Sequence, residues 1–315
     1  MKKFIIISLS LFGFYACQVT EEMNTGNDLD SMRLECMLTS DDSDPVHYLY
    51  LDRFYAIKGG QYYRQSPDLI HPVFSVESNG KSVQVVEDAS LEGRYILQGE
   101  FNHGDEISIR LSGNGVSDAS ALTSIPEAPT NDCVQNLSIK EFVKNNVGGA
   151  GLIEYHISFM LKGSDSYYGL ALVTGEGSDI QETALVPDGV IEILPGEKPE
   201  FSTSFPISAP ILRLTDGKIV NRNASRAFYV LSGAVSEDNS PVSVSSVISV
   251  YGTMSAKPRV RVYRLTKEAH RACMSVFGSS RNDLEGFGLT SAASAWTNVK
   301  GGQGYFCGYS FKDFQ

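Results

Sequence analysis

Long apolar runs are almost absent from this chain of 315 residues: only Phe4 to Phe14 qualifies, and it falls short of the roughly 20 residues that cross a bilayer as a helix. Helical periodicity is as scarce, confined to one segment after Thr266. Histidine is sparse, and His47, His71, His103, His156 and His270 fall into neither His-x-His nor His-Glu-x-x-His spacing, so a metalloprotease helix has no support. None of the five cysteines forms a Cys-x-x-Cys pair, which removes the simplest signature of a zinc site or a thioredoxin-like centre. A Gly-x-Ser-x-Gly elbow is missing, and Gly302-Gln303-Gly304-Tyr305-Phe306-Cys307 lacks both the third glycine of a dinucleotide loop and the Lys-Ser pair of a phosphate loop. Positive charge is in deficit, with 26 Lys and Arg against 37 Asp and Glu. The net charge of −11 argues against nucleic acid as a partner and against electrostatic adhesion to an anionic membrane.

What is present begins at the N-terminus. Lys2 and Lys3, the apolar run and Tyr15-Ala16-Cys17 read as a signal peptide over residues 1–16. A small residue directly before a cysteine fits a bacterial lipobox, although Phe14 and Tyr15 stand where aliphatic and small residues are usual. Cys17 is therefore the expected lipidation site, and several acyl chains at about 0.8 kcal/mol per buried CH₂ would hold the protein on a membrane. Gln18 in place of an aspartate favours outer-membrane delivery, and Glu21-Glu22 resembles a short acidic signal for display at the cell surface. Residues 17–33 are polar and suit a flexible tether. Within it, Asp30-Ser31-Met32 resembles a short O-glycosylation sequon.

Beyond the tether the strand signals are dense. Val46–Leu51, Val83–Val85, Tyr95–Leu97 and Ile107–Leu111 are separated by turn residues such as Asn79-Gly80 and Gly113-Asn114-Gly115, which predicts a first antiparallel β-sandwich over 34–123. A linker over 124–130 carries Pro126 and Pro129, which favour extended and poorly paired backbone. A second β domain is expected over 131–315. Its clearest strand places Ile153, Tyr155, Ile157, Phe159 and Leu161 on one face, followed by candidates at Tyr168–Val173, Ala227–Val235, Val242–Val250 and Arg259–Tyr263. Region 182–225, rich in Pro and Gly, is expected to form long loops. Thr266 should cap the single short helix, with Ala269, Ala272, Cys273, Val276 and Phe277 on its apolar stripe and Gly278 at its end. The predicted class is mainly β: two antiparallel sandwich-like units and one short C-terminal helix.

Four cysteines remain after Cys17, and export to an oxidising compartment permits two disulfides in three connectivities. The expected pairs are Cys273–Cys307, fixing the helix to the terminal strand, and Cys36–Cys133 across the first domain. Asp41-Asp42-Ser43-Asp44 lacks the spacing of a calcium loop and reads as a solvated turn. His156 lies on the less apolar face of its strand. Tyr48, Tyr50, Phe54, Tyr55, Tyr62 and Tyr63, with Arg53 and Arg64, offer either a glycan- or protein-binding face or packed strands. Trp296 either anchors the C-terminal region or stacks on a sugar.

Three features occur in order: Ala121-Leu122-Thr123-Ser124-Ile125-Pro126-Glu127-Ala128-Pro129, a strand leading into the helix over Val260–Phe277, and the ending Asn298-Val299-Lys300-Gly301-Gly302-Gln303-Gly304-Tyr305-Phe306. Together they resemble the lipoprotein family catalogued as domain of unknown function 4249, Bacteroides-type outer-membrane lipoproteins that close on Asn-x-x-Gly-Gly-x-Gly-x-Phe. The resemblance covers roughly residues 34–315 and implies a TonB-dependent transporter as neighbour, with no catalytic residue and no cofactor to carry over. Independently of it, the glycines of that ending permit a tight turn, and Tyr305, Phe306, Tyr309 and Phe311 supply apolar surface for a strand folded back on the core. The expected function is a non-catalytic accessory or binding module. A fimbrial-type structural subunit or adhesin, released by proteolysis at Arg33, is the alternative, and an enzyme with an unrecognised site ranks third.

Overall fold

The computed structural model describes residues 31–40, 46–54, 71–147, 150–163, 165–175, 180–188, 211–215, 218–220, 226–231, 234–235, 241–252, 257–280 and 296–315. The fold is mainly β with one described helix, as the patterning predicts.

The first unit contains strands β1 (Ser31–Thr39), β2 (His47–Phe54), β3 (Val73–Ser78), β4 (Lys81–Glu87), β5 (Arg94–Gln98), β6 (Glu106–Ser112) and β7 (Ala119–Ser124), in the order β1-β2-β5-β4-β3-β6-β7. β4 pairs with β5 through Gln84–Glu87 and with β3 through Lys81–Val83, so one strand passes from one layer to the other. Period-two alternation sends Ile107, Ile109 and Leu111 inward from β6. They meet Leu34, Cys36, Leu49 and Leu97 from the opposite layer in one core. Asn79 and Gly80, with φ of 48° and 77°, form the two-residue β3–β4 hairpin turn that Asn-Gly specifies.

The second unit has a central layer and two covers. Strands β10 (Tyr167–Thr174), β14 (Arg226–Val230), β16 (Arg259–Leu265) and β17 (Gln303–Phe314) run in the order β14-β10-β16-β17, with β11 (Gln181–Ala184) on β10 and β12 (Ile211–Thr215) and β13 (Lys218–Val220) beyond β14. One face is covered by a three-stranded sheet of β8 (Val134–Val147), β9 (Ala150–Leu161) and β15 (Val242–Gly252). There Ile153, Tyr155, Ile157 and Phe159 pack on Leu170, Leu172, Val260 and Val262. The other face is covered by the helix α1 (Lys267–Ser280), through Ala269, Ala272 and Cys273. The Thr266 hydroxyl accepts the Ala269 N–H at 3.1 Å, as expected of the cap, but the helix runs two residues past the expected end at Gly278. The side chains of Val276 and Phe277 lie outside the described residues. The expected loop over 182–225 contains three short strands, β11 to β13.

Both ends of the expected domain scheme shift. β1 starts at Ser31, and Met32 is fully buried, so the folded chain begins three residues before Leu34. β17 inserts between β16 and β1, running parallel to β1 from Arg33↔Gln303 to Thr39↔Tyr309. One sheet therefore runs through both units. Alternation along β17 sends Phe306 into the first core and Tyr305, Cys307 and Tyr309 under the helix. The linker is packed as well: Ile125 is 1% exposed and exchanges backbone hydrogen bonds with Gly104 and Asp105.

Candidate functional site

The closing motif is a structural clasp. β16 pairs with β17 only from Tyr309 to Phe314, which leaves the preceding β17 residues without a strand on that side. Asn298 substitutes for one: its Nδ2 donates to the Phe306 carbonyl at 2.8 Å and its Oδ1 accepts the Phe306 N–H at 3.0 Å. Gly301 and Gly304 hold φ of 75° and 90°, conformations costly for any residue with a Cβ. Side chains there would strike the Asp118 and Leu34 carbonyls, and at Gly308 the Ser124 carbonyl. Thus Asn298, Gly301, Gly304, Phe306 and Gly308 join β17 to β1 and β7. Sequence reasoning anticipated the turn and the returning strand, but not the carboxamide bridge.

The clasp also adjoins a cleft through the Ser120–Lys300 bridge. Lys300 and Ser120 exchange backbone hydrogen bonds of 2.7 and 2.9 Å, which extends the β3-β6-β7 layer by one residue. Across that layer Ser75 faces Arg110, Arg110 faces Ser120, and Ser120 faces Lys300. Directly opposed residues share a sheet face, so these four side chains form one row on the outer surface. A shallow cleft of about 530 Å³ lies over it, lined among others by Val73, Ser75, Arg110, Ser112, Asp118 and Ser120. Val73 at its edge is 65% exposed. Among the described residues neither the Arg110 nor the Lys300 side chain has a hydrogen-bonding or ion-pair partner. Sequence inspection missed this row, because strand register brings together residues far apart in the chain.

A second polar cluster is buried and closed. Glu182 on β11 accepts from Arg261 Nη1 and from the Tyr263 hydroxyl, each at 2.5 Å. Arg261 Nε and Nη2 donate to the two Asp313 carboxylate oxygens at 2.6 and 3.0 Å, and its guanidinium stands 4.0 Å from the Phe311 ring centroid. Burial, reinforced by the Glu182 charge, pushes the Tyr263 hydroxyl well above the ordinary tyrosine range. Burial alone would lower the Arg261 pKa, but the Asp313 hydrogen bond and the surrounding negative charges raise it. Both groups keep their ordinary protonation, and the cluster fastens β11 to β16 and β17.

The cysteines depart from the expected pairing. Cys36, Cys133, Cys273 and Cys307 are all buried free thiols. Cys36 sits in the first core and Cys133 in the second, so the core layers separate that expected pair. Cys273 and Cys307 share the cluster beneath the helix, as free thiols. Burial pushes the thiols of Cys36, Cys273 and Cys307 far up, which keeps them protonated and weakly nucleophilic.

Of the other singled-out residues, His156 is exposed and lies 2.7 Å from Glu154, with the Phe142 ring packed edge-on. Arg94 lies over the Tyr48 ring, which makes that part of the aromatic cluster packing. Trp296 is packed against the helix-side cluster and its N–H group on the backbone donates to the Ser275 hydroxyl, an anchoring role. Cys17, residues 41–44, Tyr55, Tyr62, Tyr63 and Arg64, and the side chains of Arg53 and Phe54, lie outside the described residues. Among the described residues no cluster of three or more metal-ligating side chains occurs, and no helix is long and apolar enough to cross a membrane. No protein-family model matches this chain, and a search of curated proteins finds no match.

Proposed function

We propose that the protein is a lipid-anchored outer-membrane lipoprotein, displayed at the cell surface through Cys17, whose β domain acts as a non-catalytic accessory or binding module. The observation that carries the binding role is the open cleft over Ser75, Arg110 and Ser120: the long cations Arg110 and Lys300, whose side chains have no partner among the described residues, make a better docking face than the buried Glu182 cluster. The anchor rests on Ala16-Cys17 and on the short polar stretch before β1. A TonB-dependent transporter is the proposed neighbour, on the family resemblance of the closing motif, and the acidic tether would raise the effective concentration of the domain beside it. The fimbrial alternative fits less well. Arg33 lies inside β1, hydrogen-bonded to β2 and β17, and its Nη2 pairs with Glu35 at 2.5 Å, so cleavage there would cut a central strand.

Affinity capture from crosslinked outer membranes tests the reading. The wild-type chain should fractionate with the membrane and bring down a transporter, and Cys17→Ala should leave the membrane and bring down less. Retention of Cys17→Ala in washed membranes would remove the anchor, and capture of pilus subunits would favour the fimbrial role.

A further inference from the structure

We infer that the Ser120 edge of the cleft in the first unit is a binding site for a phosphate group, gripped between Arg110 and Lys300 with the Ser120 hydroxyl beneath it. Neighbouring strands lie about 4.8 Å apart, so Arg110 and Lys300, each one step from Ser120, stand roughly 10 Å apart at their Cα atoms. Side chains of that length converge on an anion seated above Ser120. Arginine offers a fork of donors and lysine a compact charge, and the Ser120 hydroxyl donates from a third direction to a tetrahedral oxyanion.

Three observations set this place apart from ordinary surface charge. First, the chain carries a net charge of −11, yet neither cation here is neutralised among the described residues. Elsewhere Arg33, Arg94, Arg259 and Arg261 each meet a carboxylate. Secondly, Lys300 is held in position: its N–H and C=O are both bonded to Ser120, and the adjoining Gly301 turn fits against the Asp118 carbonyl. Thirdly, Ser75, Arg110 and Ser120 line a cleft, and Lys300 extends their row by one position. Asp118, at the same cleft, supplies an acceptor that suits a ligand carrying hydroxyl or amine groups beside its phosphate.

Such a phosphate has two sources. It belongs either to a free phosphorylated small molecule or to a lipid headgroup. The second source is placed within reach because β1 enters the fold beside the cleft, where a Cβ on Gly302, two residues from Lys300, would lie 2.7 Å from the Met32 carbonyl. The inference deepens the binding-module reading; a free phosphorylated ligand needs no lipid at Cys17, whereas the reach to a headgroup rests on that anchor.

The test uses the full chain carrying Cys17→Ala, so that no acyl group contributes. Titration calorimetry with inorganic phosphate and with glycerol phosphate should detect saturable binding, weakened about tenfold by Arg110→Gln or Lys300→Gln and lost in the double variant. Sedimentation with phosphatidylglycerol vesicles, and with phosphatidylcholine vesicles as control, forms the second arm. Binding in either arm that both substitutions weaken supports the site, and the responding arm identifies the source. No binding in either arm overturns the inference, as does binding that both variants retain in full. Both side chains are exposed, so unchanged thermal unfolding of the variants is expected and keeps the comparison valid.

Discussion

Asn298 shows how much one side chain holds in place. Its carboxamide satisfies both backbone groups of Phe306, and Phe306 is completely buried. Asn298→Ala strands both groups, at about 1–3 kcal/mol each when no water reaches them. Urea denaturation should show a loss in that range or above, and Asn298→Asp, which restores only the acceptor, should fall between. At His270 the prediction concerns pH. The ring stacks on Tyr167 with centroids 4.3 Å apart, and its Nε2 lies 2.9 Å from the Leu231 carbonyl. Burial holds its pKa below the usual 6.5, with the nearby Arg271 charge acting the same way and the Leu231 hydrogen bond opposing. The folded state thus takes up the proton less readily than the unfolded state. This contribution is complete above about pH 6.5 and is lost progressively as pH falls below it. Stability measured at pH 7.5 and 5.5 should drop less in His270→Phe than in the wild type; an equal drop assigns the acid sensitivity to other groups.

Among the elements, β11 is the most dependent on polar contacts. It is four residues long, and Glu182 is its tie to Arg261 and Tyr263. Arg261→Met leaves Glu182 buried with the tyrosine hydroxyl and without its cation, an arrangement that costs about 3–5 kcal/mol. Hydrogen exchange should then accelerate first at Gln181–Ala184, ahead of β9. What could be read in advance from the sequence follows the same division. β9 was legible because one of its faces is buried and the other wet, which leaves a period-two signature. β1 was legible only from Leu34 on, because its alternation of Met32, Leu34 and Cys36 with Arg33 and Glu35 is short, gives way to the apolar Met37-Leu38 and adjoins a polar stretch. β8 was hidden by its register shifts, and the row from Ser75 to Lys300 by the distance along the chain between its members. The helix cap at Thr266 was legible because capping is local.

At the scale of the molecule, β17 is the strand that both units share. A chain ending before Gln303 loses Phe306 from the first core and Tyr305, Cys307 and Tyr309 from beneath the helix. Such a truncation should abolish cooperative thermal unfolding of both units in circular dichroism; a surviving transition would show that one unit folds without β17. The same parallel pairing governs when folding can finish. Cys36 lies across from Phe306, so a strand made among the first must wait for one made among the last. At roughly 5–20 residues per second, that interval lasts tens of seconds. Until β17 arrives, β1 presents an apolar, hydrogen-bonding edge on which another unfolded chain could pair, so the last strand made is also the one that closes the sheet to strangers.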